Sequence, residues 1–177
     1  MTWIALLYSM ILPAGARLKM ADLKALAEDL GYGNARTVAS SGNLIFETGR
    51  REATAIEAEL EAAFEKRFGK AVPVILRDAQ RLQVMAKADP FADVADPKQI
   101  SVRVMRAPYP DTLIADLKPY VADERVALVD GDLFIHFPAQ AGGSRLLSAF
   151  GTRRFSSPGT FRTLAMLRRI SAAAVTS

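Results

Sequence analysis

No cysteine occurs in the 177 residues. Disulfides, cysteine-ligated zinc and a thiol nucleophile are therefore excluded. There is one histidine, His136, so a multi-histidine metal site or a relay of two histidines is excluded too. No G-x-x-x-x-G-K phosphate loop is present. No apolar run is long enough to span a bilayer. The run nearest to that, WIALLYSMIL at 3–12, is followed by Ala14-Gly15-Ala16 and so imitates a short signal peptide. No Lys or Arg precedes it, as a signal peptide would require. A buried strand over 2–11, apolar on both faces, is expected instead. The expected location is cytoplasmic, with no membrane partner and no cofactor or metal.

Acidic residues are missing from one end of the chain. Residues 1–140 hold 17 Lys/Arg against 19 Asp/Glu, whereas 141–177 hold six arginines and no acid. Those arginines are 145, 153, 154, 162, 168 and 169. The asymmetry fits either an anionic partner or a solvated basic face.

What is present is ordinary for a globular chain: 50% apolar and 24% charged residues. Met20, Leu23, Leu26, Ala27 and Leu30 recur at helical spacing, and Gly31 stands where a terminator belongs. Residues 35–39 and 43–48 are rich in strand formers. In REATAIEAELEAAFEKRFGK, Ala53, Ile56, Leu60, Ala63, Phe64 and Phe68 line one helical face. Glu57, Glu61 and Glu65 line another, which reads as a solvated stripe. AVPVILR at 71–77 is a strand. The order to this point is β-α-β-β-α-β, the order of a ferredoxin-like plait.

The order then partly recurs. Asp78 caps a connecting helix that Pro90 ends. QISVRVMRA at 99–107 alternates as a strand, with Ile100, Val102 and Val104 on one face. Leu113, Ile114 and Leu117 mark a helix between Pro110 and Pro119. RVALVD and DLFIHFP form a hairpin joined at Asp130-Gly131. SRLLSAFGTRRF and TFRTLAMLRRISAA close the chain as helices. The expected fold class is therefore α+β: two linked ferredoxin-like halves with additional C-terminal helices. The expected division is 1–78 and 79–177, with the junction near the Pro- and Asp-rich stretch at 78–98.

Two loops carry candidate chemistry. Ser40-Ser41-Gly42-Asn43 reads either as a tight turn or bulge, or as an anion nest of hydroxyls and amides. In Gly142-Gly143-Ser144-Arg145, Ser144 is an N-cap, and free amides at a helix start attract phosphate or carboxylate. The alternative there is a glycine loop feeding a capped helix. Alternation sets Leu133, Ile135 and Phe137 on one face and Phe134 and His136 on the other. Phe161, Leu164, Leu167 and Ile170 have the helical spacing of a core.

Several short motifs recur in a familiar order: ALL at 5–7, MADLKALAEDLGY at 20–32, SGNLIF at 41–46, EKRFG at 65–69, VPV at 72–74, ADPF at 88–91, LFIHFP at 133–138 and GGSRL at 142–146. On these the chain resembles the DUF1697 family, a bacterial domain of unknown function. The resemblance implies two plait-like halves and no known activity. It departs from the family at YSMILPA, 8–14, where a polar R-G-I-N-V-G-G is usual. It departs again at GTFRT, 159–163, where R-N-W-N-T is usual. Tyr8 and Ile11 cannot form the charge-assisted bonds of Arg and Asn.

The leading functional expectation is a binding protein for an anionic small molecule, a nucleotide or phosphorylated metabolite, with an eroded site. Ser41, Gly42 and Asn43 border that site, Gly142, Gly143, Ser144 and Arg145 hold the anion, and Arg162 assists. The alternative is a nucleic-acid-binding module using the C-terminal arginines. A third is an enzyme centred on His136 or Ser144, although no activated nucleophile or acid–base pair is visible. A homodimer is compatible with exposed sheet edges.

Overall fold

A computed structural model of the chain describes residues 1–50, 52–139 and 141–175. The elements run β1 (Thr2–Leu7), α1 (Met20–Asp29), β2 (Gly33–Thr37), β3 (Asn43–Glu47), α2 (Ala53–Phe68), β4 (Val74–Asp78) and α3 (Ala79–Lys87). They continue with β5 (Ile100–Met105), α4 (Leu113–Leu117), β6 (Arg125–Val129), β7 (Asp132–His136), α5 (Arg145–Ala149), β8 (Gly159–Thr163) and α6 (Leu164–Val175). The result is a mixed α+β chain with two four-stranded antiparallel sheets, ordered β2-β3-β1-β4 and β6-β7-β5-β8. It divides into two compact units, Met1–Val84 with Arg169–Ser177, and Met85–Arg168.

In the first unit, strand alternation turns Trp3, Ala5 and Leu7 of β1 to the same face as Leu44, Phe46, Val74 and Leu76. Leu23, Leu26 and Ala27 of α1 and Ile56, Leu60 and Phe64 of α2 pack against that face. The intervening residues of β1, Ile4 and Leu6, are fully buried as well. That explains an apolar run with no polar alternation. Near the end of the chain, Ala173 O of α6 accepts from Arg36 Nη2 of β2 at 2.8 Å.

In the second unit, Met105, Leu133, Ile135 and Phe137 share a face covered by Leu113 and Leu117 of α4 and Leu146 and Ala149 of α5. Arg103 lies on that face, its guanidinium 4.6 Å from the Phe150 ring and 5.3 Å from the Phe161 ring. The β6–β7 hairpin turns on Asp130 (φ 51) and Gly131 (φ 80), as Asp-Gly predicts. Asp78 and Ser144 cap as expected: Asp78 Oδ1 accepts the Arg81 N–H at 2.7 Å, and Ser144 Oγ that of Leu146 at 3.2 Å.

Three expectations need correction. The first strand stops at Leu7 rather than running to 11, because the chain leaves the sheet at Tyr8 and closes on itself through an Ile11–Arg17 bridge. Tyr8 and Ile11 are exposed. The acidic stripe of α2 is not simply solvated. Glu57 Oε1 accepts the Leu76 N–H at 2.9 Å and Glu61 Oε1 the Val74 N–H at 2.8 Å.

The last correction concerns the end of the chain. Residues 159–163 are a strand, pairing with β5 from Ser101↔Thr163 to Met105↔Gly159. Phe161, Leu164, Leu167 and Ile170 keep three-residue spacing straight across the strand–helix junction, so periodicity hides the boundary. Thr163 marks it, its Oγ1 accepting the Met166 N–H at 3.1 Å. With β8 in place, both sheets share one order, with the second strand of each unit beside the third, then the first, then the fourth.

Candidate functional site

Ser41, Gly42 and Asn43 form the turn that enters β3. Asn43 is fully buried, and its Nδ2 donates to Val38 O and Ser41 Oγ, both at 2.9 Å. Gly42 has φ 72, and a Cβ there would stand 2.5 Å from Met10 Sδ. Its carbonyl accepts the Leu7 N–H at 2.9 Å. The second unit repeats this arrangement. Gly131 precedes the buried Asp132, and its carbonyl accepts the Tyr109 N–H at 2.9 Å. A Cβ on Gly131 would collide with Pro108. In both units a glycine in the left-handed region lets the turn lie against chain leaving the sheet's first strand. The following Asx locks it, Asp132 by accepting the Met105 N–H at 2.7 Å.

Gly142, Gly143 and Ser144 come together beside the turn before β6. With Ala122, Asp123, Glu124, Phe137, Pro138 and Ala139 they line an open cavity of about 250 Å³. Its charge is acidic, since no Lys or Arg lines it. Ser144 Oγ donates to Glu124 Oε1, and the Ala122 N–H donates to Glu124 Oε2 at 2.8 Å. The chain's own carboxylate thus holds the hydroxyl expected to face an incoming anion. Burial pushes the Glu124 carboxyl up, but the Ser144 hydroxyl and the amides of residues 122–124 outweigh it and hold it below the usual carboxylate range. Arg145 is exposed and lines no part of this cavity.

Arg162 is buried on β8, with Nη1 donating to Thr160 Oγ1 and Phe161 O at 2.8 Å. Burial lowers its pKa to about 10. Two more C-terminal arginines are engaged: Arg154 with Asp116 at 2.5 Å, and Arg168 with Ala86 O at 3.2 Å and Asp89 at 3.4 Å. Arg145, Arg153 and Arg169 stand exposed. The basic end is therefore half committed within the fold.

His136 lies across from Arg125, whose Nε donates to His136 Nδ1 at 3.3 Å. Arg125 also pairs with Asp93 at 2.9 Å and sits 5.0 Å from the Phe91 ring. Among the described residues no group of three or more His, Asp or Glu could hold a metal ion. No helix there is long and apolar enough to cross a membrane.

Sequence reasoning missed a second open cavity. About 400 Å³ in volume, it is lined by Lys98, Gln99, Ser101, Phe137, Pro138, Ala139 and Ala141. The Lys98 ammonium, the Gln99 amide and the Ser101 hydroxyl have no hydrogen bond or ion pair among the described residues. Uncommitted polar groups above an apolar floor are the usual make-up of a small-molecule site. The signal was present in QISVRVMRA: alternation that turns Ile100 and Val102 one way turns Gln99 and Ser101 the other.

Comparison with known proteins gives a family and a fold. The family described as "Protein of unknown function (DUF1697)" matches residues 1–134. The conserved bacterial protein SP0830 from Streptococcus pneumoniae has a similar structure, with a TM-score of 0.78 at 15% identity over 99% of this chain and 98% of that one. No curated protein matches.

Proposed function

The chain belongs to the DUF1697 family, whose function is unknown, and from the geometry of its second unit we propose that it is a binding protein for a small anionic molecule with an apolar body. One observation carries the reading: the Lys98, Gln99 and Ser101 side chains, all uncommitted, border one cavity floored by Phe137 and Pro138. Lys98 supplies the charge, Ser101 and Gln99 the directional hydrogen bonds, and Phe137 with Pro138 the apolar contact. The Gly142–Arg145 loop is the weaker anion site because Glu124 already occupies its hydroxyl. Ser41, Gly42 and Asn43 serve the turn.

We also infer that each unit is a ferredoxin-like plait. Support comes from the β-α-β-β-α-β order, the shared strand arrangement and two helices packed on one face of each sheet. We propose a cytoplasmic location, with which a chain free of cysteine is compatible.

The test is calorimetric titration of the whole chain with octanoate. Saturable binding that weakens about tenfold in Lys98→Ala is expected, as for loss of one charge-assisted hydrogen bond. Equal binding by that variant, or none by the native chain, would sink the reading.

A further inference from the structure

The two cavities of the second unit share a wall and differ in charge. Phe137, Pro138 and Ala139 line both. On one side stands Lys98, with no acid in the lining. On the other stand Asp123 and Glu124, with no Lys or Arg. The Asp123 carboxylate makes no hydrogen bond or ion pair among the described residues. Glu124 is held by two neutral donors, the Ala122 amide and the Ser144 hydroxyl, so its charge is solvated by the protein but not cancelled. A cationic group entering that cavity gains two carboxylates without displacing a native ion pair. An anionic group entering the other gains an ammonium on the same terms. Between them lies one segment of chain with an apolar surface.

We propose that the ligand is zwitterionic, with its anionic end at Lys98 and Ser101, its apolar middle over Phe137 and Pro138, and its cationic end at Asp123 and Glu124. The inference rests on the binding reading above and adds the cationic end. Crossing a single chain segment sets the separation of the two charges at roughly 10 Å, two interchain spacings. That length favours an extended amino acid whose charges are far apart over an α-amino acid, whose charges are adjacent.

Calorimetry with octanoate, its ω-amino derivative and octylamine separates the two readings. The ω-amino derivative should bind the native chain about tenfold more tightly than octanoate. In the Asp123→Asn, Glu124→Gln double variant the gain of the ω-amino derivative over octanoate, both measured on that variant, should vanish. The amides remove both charges at nearly constant shape, Glu124→Gln keeping one of the two acceptor oxygens that Ala122 and Ser144 use, and a thermal melt verifies that the variant is folded. If octanoate and its ω-amino derivative bind equally and Lys98→Ala weakens both, the zwitterion inference falls and the anion reading stands. If octylamine binds as tightly as the ω-amino derivative, the acidic cavity acts alone and the inference is overturned. If octanoate does not bind at all, both readings fall.

Discussion

Glu57 Oε1 accepts the backbone N–H of Leu76 at 2.9 Å from a helix that runs beside the strand rather than within the sheet. One turn further along α2, Glu61 does the same for Val74. Strand β4 is the last strand of its sheet, beside β1, and Val74 and Leu76 are two residues of its outer edge whose amides these carboxylates take. An open strand edge invites pairing with another chain, and here two carboxylates cover it. Replacing both with alanine leaves the edge amides bare. The expected loss is about 1–3 kcal/mol per site, with concentration-dependent association. Urea melts and light scattering at several protein concentrations check both.

The Gly42 turn gives a second expectation. Gly42→Ala forces a side chain into a left-handed conformation and into Met10, and should cost about 1–3 kcal/mol. Asn43→Ala leaves the Val38 carbonyl without its buried donor and should cost a similar amount, about 1–3 kcal/mol. Neither variant should change octanoate affinity if the turn is architectural. Melting curves and calorimetry on the same samples test this, and a lost ligand with an unchanged melt would return the turn to the binding site.

Acid should reveal the Glu124 latch. Its folded pKa lies below the ordinary value, so its contribution is present above about pH 4.3 and lost as pH falls through the folded value. Glu124→Gln should therefore be less stable than the native chain by about 1 kcal/mol at neutral pH. The two should converge in strong acid. Denaturant midpoints between pH 2 and 7 measure the gap, and parallel curves would show that the latch contributes nothing.

The C-terminal arginines predict weak and unselective contact with nucleic acid. With Arg145, Arg153 and Arg169 as the exposed uncommitted members, these arginines give a log–log salt slope of roughly −2 on a single strand. Anisotropy with a labelled single-stranded oligonucleotide should show binding only at low salt. Neutralising those three arginines should weaken it more than neutralising Arg154 and Arg168. A steeper slope with binding at physiological salt would make the basic end a working interface.

The elements that were legible in the sequence are those with one strong local cause. The face of α2, the Asp130-Gly131 hairpin and the Ser144 cap each follow from spacing or turn chemistry within a few residues. The failures have a different origin. Glu57 and Glu61 look solvated because their partners are backbone amides 19 and 13 residues away, which no side-chain pattern announces. Strand β8 was hidden because an apolar spacing ran unbroken into α6. Ser144 looks like an anion donor in the sequence because Glu124, which holds it, lies 20 residues earlier. Lys98 and Ser101 drew no notice because common residues become a site only when a loop brings an apolar floor beside them.

The bond from Arg36 to the Ala173 carbonyl spans 137 positions of sequence and lies within one compact unit. That unit is therefore built from two segments that the second unit separates in sequence. During synthesis its sheet and two helices emerge early, yet the segment that completes it is made only after the second unit. The N-terminal half must wait, partly formed, while the whole second unit is built, a delay set by translation rather than by folding. The closing contact is also a long-loop one, which slows refolding from denaturant. Removing the segment from Arg169 onward would thus wound the half that was made first.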